Sequence, residues 1–242
     1  MYAYFKNICE AKDKIKAYLD TIYQVSGDEL LLELEHYNLL ENPNNCIETS
    51  TAIGFILEEF ITSKLEIYTK KFHSNRDEIL IKKISTSSAT KYSFDCYGLY
   101  KNILFLINIK VQKEGSTNNA IAAINRIYKD YVEESIDNIN AEKSYLILKT
   151  HYGFAKSKND GERKISIKGT QCYALEEIDF SKGVLKDHRN WSKTFNENSG
   201  RLQIPNKWLI NHRLKDGEIS YNTTKDFLTS IYNGKYNEKS NQ

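Results

Sequence analysis

No apolar run in the chain reaches the roughly 18 residues that a membrane-spanning helix needs, which excludes an integral helical membrane protein. The opening segment, MYAYFKNICEAKDK, has no sustained apolar stretch after a basic start, so no secretion signal is expected. Cysteine is sparse. Cys9, Cys46, Cys96 and Cys172 lie far apart without a CxxC pair, which argues against a zinc ribbon and suits reduced thiols in a cytoplasm. The five histidines show neither HxH nor HExxH spacing, so a histidine metal centre is not expected. There is no GxxxxGK[ST] run, which removes an ATP-driven motor and any nucleotide cofactor from consideration. Charge of one sign is lacking overall, with a net of +2, but it is unevenly spread. Asp28 to Glu41 carries five acids and no Lys or Arg, while Lys182 to Lys215 carries eight Lys or Arg against two acids. Such a polarised distribution suits a basic face for phosphates.

At 242 residues the chain is long enough to bury one sizeable core. Apolar residues at helical spacing (Ile8, Ala11, Ile15, Leu19, Ile22) predict an amphipathic helix over Lys6 to Gln24. A second helix is expected over Asp28 to Leu40, then a loop at NPNNC. A third is expected over TAIGFILEEFITSKLEIYTKK, capped by Ser50 or Thr51. DEILIKKIS reads as a strand, and SFDCYGLYKNILFLINIKVQ (93–112) as two more. TNNAIAAINRIYKDYVEES is expected to be a helix, and KSYLILKT (143–150) the strand after it. That strand–helix–strand unit implies a parallel pair. KISIKG, QCYALEEIDF and GRLQIP read as further short strands; Trp191 and Trp208 are expected in the core. The expected fold is mixed α/β, a central mixed β-sheet flanked by helices, in one domain. Its parts would be a helical portion (1–50), a core (51–152), an elaboration (153–236) and a flexible tail (237–242).

The stretch 93–112 raises a question, because Asp95, Asn108 and Lys110 interrupt what is otherwise hydrocarbon. A tight turn at Lys101-Asn102 suits asparagine's tolerance of left-handed backbone and pairs Tyr100 with Ile103. Counting outward sets Asp95 opposite Asn108, with Asn108, Lys110 and Gln112 sharing its face. On the third helix Gly54 and Glu58, four apart, flank the apolar stripe, and Glu59 falls on its far side. A helical glycine costs about 1 kcal/mol relative to alanine, so Gly54 suggests a close approach to a strand.

Gly54-x-x-x-Glu58 on a helix, Asp95 on a strand, then Asn108-Ile109-Lys110 closing a hydrophobic strand before a helix: this order resembles the PD-(D/E)xK nuclease superfamily over Thr51 to Thr150. The superfamily includes many type II restriction endonucleases, junction resolvases and repair nucleases. Two positions depart from its pattern. Asn108 stands where an acid is usual, and Phe94 precedes Asp95 where proline is usual. The resemblance implies catalytic roles for Glu58, Asp95, Asn108 and Lys110, with Asp95, Glu58 and Asn108 holding Mg²⁺ and Mn²⁺ able to substitute. It implies a homodimer that cuts double-stranded DNA to leave 5′-phosphates and 3′-hydroxyls. Arg163, Lys164, Lys168, Lys186, Arg189, Asn190, Arg201 and Gln203 are of the types that contact phosphates or base edges. A structure-specific repair nuclease and a non-catalytic DNA-binding protein are the alternatives.

Overall fold

The computed structural model describes residues 2–26, 29–30, 49–72, 77–85, 91–116, 120–133, 135–156, 163–178, 201–203, 221–230 and 232. Its strands are β1 (Glu29–Leu30), β2 (Leu80–Lys83), β3 (Cys96–Tyr100), β4 (Ile103–Lys113), β5 (Ala120–Ala123), β6 (Glu142–Lys156), β7 (Arg163–Ala174) and β8 (Arg201–Gln203). Its α-helices are α1 (Tyr2–Ser26), α2 (Thr49–Phe72), α3 (Ile124–Tyr128) and α4 (Tyr221–Ser230). Six strands form one mixed sheet in the order β1-β7-β6-β4-β3-β2, and β5 pairs with β8 in a separate ribbon. The fold is therefore mixed α/β, with helices on both faces of the sheet. No helix among the described residues is long and apolar enough to cross a membrane.

The central strand β4 explains the layering. It pairs antiparallel with β3 on one side and parallel with β6 on the other, and helices packed above and below bury both its faces. Ile103, Phe105, Ile107 and Ile109 pack in one cluster with Ile8, Ile15 and Leu19 of α1 and Ile61 and Leu65 of α2. Leu104 and Leu106 face the other way, into a cluster with Ile124 and Ile127 of α3 and Leu228 of α4. The β3–β4 turn is the expected one. Lys101 and Asn102 both have positive φ, 45° and 63°, and Tyr100 pairs with Ile103. At the other edge of β3 a Cβ on Gly98 would meet Ile79 Cγ2 at 2.8 Å, so only glycine lets β2 lie this close.

Several expectations need correction. Glu29 and Leu30, expected in a helix, form a strand on β7; the rest of that expected helix and the NPNNC loop lie outside the described residues. The third helix already includes Thr49, which places Ser50 and Thr51 inside it rather than at its cap. The helix expected over 117–135 is largely replaced. Ala120–Ala123 is a strand paired with Arg201–Gln203, and only Ile124–Tyr128 is α-helical before a π turn at Lys129–Glu133. β6 runs on to Lys156, through the boundary drawn after residue 152. KISIKG and the start of QCYALEEIDF belong to one strand, β7. Trp191, Trp208 and the tail lie outside the described residues.

Candidate active site

The site begins where β3 stops. Pairing with β4 ends at Cys96–Ile107, one last backbone bond runs from the Asp95 amide to the Ile107 carbonyl at 2.9 Å, and the chain then leaves the sheet. Beyond that point no strand among the described residues lies beside the β4 edge. Its next outward amide, that of Ile109, is instead met by a side-chain carboxylate: Asp95 Oδ2 accepts it at 2.6 Å. Glu58 of α2 comes up beside the next stretch of the same edge, near Val111, and the charge of Lys110 acts on both acids. Edge amides point in the plane of the sheet. An acid from the neighbouring strand and one from the helix layer can therefore meet along the same edge.

The segment before Asp95 is firmly held. The Ser93 amide donates to Asp130 Oδ2 at 2.5 Å, and the Ser93 carbonyl accepts from Asn108 Nδ2 and from the Tyr145 hydroxyl, each at 2.5 Å. Asn108 is 3% exposed, and its Oδ1 has no hydrogen-bond partner among the described residues. A buried carbonyl oxygen left this way costs about 1–3 kcal/mol.

Electrostatics reflect the same crowding. Burial pushes the Asp95 carboxyl up, while the Lys110 charge and the Ile109 amide pull it down. Burial also raises Glu58, Lys110 opposes it, Asp95 adds to it as a like charge, and the Val111 amide opposes it. Glu59 belongs elsewhere: it pairs with Lys83 of β2 on the outer side of α2, and that contact lowers its pKa.

Two cavities open here. One, of about 390 Å³, is lined by Ser93, Asp95, Asn108, Lys110, Arg126 and Arg201 among others. The other, of about 360 Å³, is lined among others by Glu58, Lys110, Gln112, Lys149, Tyr152 and Arg201. Lys110, Ile121 and Arg201 line both, so the β5–β8 ribbon forms a shared wall facing the β4 edge. The sequence matches no family model, and no curated protein gives a significant match to it. What can be read of the site comes from its own geometry.

Glu58, Asp95, Asn108 and Lys110 are thus brought together. Gly54 is a correction. Nothing lies within 4 Å of a Cβ built on it, so it makes no close approach to a strand; it lines the second cavity instead. Of the residues expected to touch DNA, Arg201 reaches the site. Lys168 is exposed on β7, close to Gly153. Arg163 and Lys164 open β7 opposite Lys156 and Ala155, and Gln203 pairs with Ala120. Lys186, Arg189 and Asn190 lie outside the described residues. Among the described residues no group of three or more His, Cys, Asp and Glu side chains gathers as a metal centre.

Lys149 and Arg126 were not anticipated. Lys149 is 6% exposed, burial lowers its pKa, and it is the β6 partner of Lys110 in the parallel register. The signal was present. ILFLINIK and KSYLILK are both apolar strands closed by lysine, and running them parallel in this register sets those lysines side by side.

Proposed function

We propose that this chain is a divalent-metal-dependent endonuclease of the PD-(D/E)xK type, cutting double-stranded DNA at a specific site as a type II restriction enzyme. The observation that carries the reading is the gathering of two buried acids, Asp95 on the Ile109 edge amide and Glu58 from the helix layer, around the charge of Lys110. A packed sheet edge gains little from an acid–lysine–acid cluster, whereas phosphodiester hydrolysis uses these residue types together.

The donor set suits Mg²⁺. Asp95 offers a hard carboxylate oxygen and Asn108 an unpartnered carbonyl oxygen in one cavity, and Glu58 offers a second carboxylate in the adjoining cavity across Lys110. Mg²⁺ takes one or two carboxylates and keeps several waters, so a third acid is not required. The burial that raises both carboxyls would be offset by a bound dication. When bound, the cation supplies positive charge to the phosphate oxygens and acidifies a coordinated water.

The protein's own groups divide the remaining work. Lys110 orients the attacking water and stabilises charge developing on the phosphate. Arg126 and Arg201, on the far wall, hold the phosphate against the acids. Asn108 and Tyr145, through the Ser93 carbonyl, keep the Asp95 segment in place. Two equal strands are most simply cut by two related sites, so the active species is a homodimer.

Digestion of genome-sized duplex DNA with Mg²⁺, followed by sequencing of the fragment ends, tests this reading. Discrete fragments sharing one end sequence and carrying 5′-phosphates are expected. Cutting confined to branched or flapped DNA would replace site specificity with structure specificity. Intact DNA under both Mg²⁺ and Mn²⁺ would remove the enzyme.

A further inference from the structure

The second cavity extends away from Asp95, and its lining has a charge that the acid pair does not need. Lys110, Lys113, Lys149 and Arg201 contribute cations there, and Glu58 is the one acid among its lining residues. Adjacent strands are about 4.8 Å apart, so Lys110 and Lys149, register partners, rise from neighbouring points on one face and both line the cavity. Four cations against one acid give the lining an excess of positive charge, which favours an anionic ligand. The same cavity is lined by Phe55, Tyr152 and Tyr173, with Phe55 69% exposed at its rim. Two of its lining residues also carry unsatisfied polar atoms. Gln112 Oε1 and the Tyr152 hydroxyl are buried without hydrogen-bond partners among the described residues, in side chains 6% and 1% exposed.

We propose that this cavity is a nucleotide subsite: it takes one nucleoside monophosphate unit next to the scissile bond, out of the base stack. The phosphate lies between Lys149 and Lys110, and the base lies against the aromatic lining. Gln112 Oε1 and the Tyr152 hydroxyl then meet the polar edge of the base, as groups without partners require. Aromatic stacking with a cationic backbone contact is the general means of holding an unstacked base. The volume, about 360 Å³, accommodates a nucleotide. The identity of the ligand as part of a DNA strand rests on the nuclease reading; binding of the nucleotide itself does not.

The test uses the full chain in the presence of a chelator, so that neither cleavage nor the acid pair's cation contributes. Calorimetric titration compares 2′-deoxyadenosine 5′-monophosphate, inorganic phosphate and deoxyadenosine. The monophosphate is expected to bind about tenfold or more tighter than either fragment. Lys149→Met is expected to weaken it by about tenfold. Tyr152→Phe removes only a hydroxyl without a partner, so the variant folds; it should weaken the monophosphate severalfold and leave phosphate unchanged. No binding at millimolar monophosphate, or equal binding by wild type and both variants, overturns the subsite. Inorganic phosphate binding as tightly as the nucleotide overturns the role given to the base. A protein that cuts DNA yet fails this titration keeps its nuclease and loses the subsite, and the reverse outcome separates them the other way.

Discussion

Asp95 Oδ2 accepts the amide of Ile109 at 2.6 Å, so the carboxylate continues the β3–β4 ladder at the point where the β3 backbone leaves it. One oxygen is fixed to the sheet, and the other is left for the cavity that Asp95 lines. Glu58 approaches from the helix layer beside Lys110, whose charge opposes the burial that raises both carboxyls.

Glu58 and Glu59 are neighbours in sequence with opposite fates. Glu58→Gln removes a charge from the cavity beside Lys110 and should reduce cleavage at least a hundredfold, about 3 kcal/mol in the barrier. Glu59→Gln disturbs exposed contacts with Lys83 and Ser63, where such surface pairs are worth about 0–1 kcal/mol. Its cleavage rate should match wild type. Parallel single-turnover assays of the two variants decide it.

Asn108→Asp restores the acid usual in PD-(D/E)xK enzymes, yet it should not improve this protein. The Nδ2 donor to Ser93 would be lost, and two acceptors would face each other in a buried place. A stability loss of about 1–3 kcal/mol is expected without metal, with partial recovery on adding Mg²⁺. Urea unfolding with and without the cation measures both.

Gly54→Ala is expected to raise stability and lower activity together. The position is helical with open space around a Cβ, so alanine gains about 0.5–1 kcal/mol in helix propensity. The same methyl projects toward a cavity that the substrate is proposed to enter. Thermal unfolding and a cleavage assay on one preparation test the pair of effects.

Glu176 gives a pH dependence remote from the site. Its carboxyl is fully buried, accepts from the Tyr131 hydroxyl, the Ser144 hydroxyl and the Tyr145 amide, and is raised by burial to about 7 from 4.5. Between those values the folded state keeps a proton that the unfolded state has released. Stability therefore falls as pH rises through this window and levels off above about 7. The loss between about pH 5 and about pH 8 should be on the order of 3 kcal/mol. Glu176→Gln should lack it, as chemical unfolding at both pH values would show.

Where the sequence contained a short-range determinant, it was legible. Asn102 suits the left-handed backbone of the β3–β4 turn, that turn sets the register, and the register puts Asp95 beside Asn108. The parallel pairing of β4 with β6 followed from the intervening helical segment, although that helix proved short. What failed depended on distant chain. AIAA is a good helix former, yet it pairs with Arg201–Gln203 some eighty residues on, and local periodicity cannot register such a partner. Arg126 was hidden by the same error. Gly54 was read as a close contact from its propensity cost alone, and only coordinates reveal the open space around it.

The central claim is that Asp95 and Lys110 act together on a phosphate. Cleavage of duplex DNA by wild type, Asp95→Ala and Lys110→Ala in Mg²⁺, beside their DNA binding in Ca²⁺, tests it most directly. Both variants are expected to lose cutting by at least a hundredfold, about 3 kcal/mol, while still binding DNA in Ca²⁺. Near-normal cutting by either variant contradicts the account.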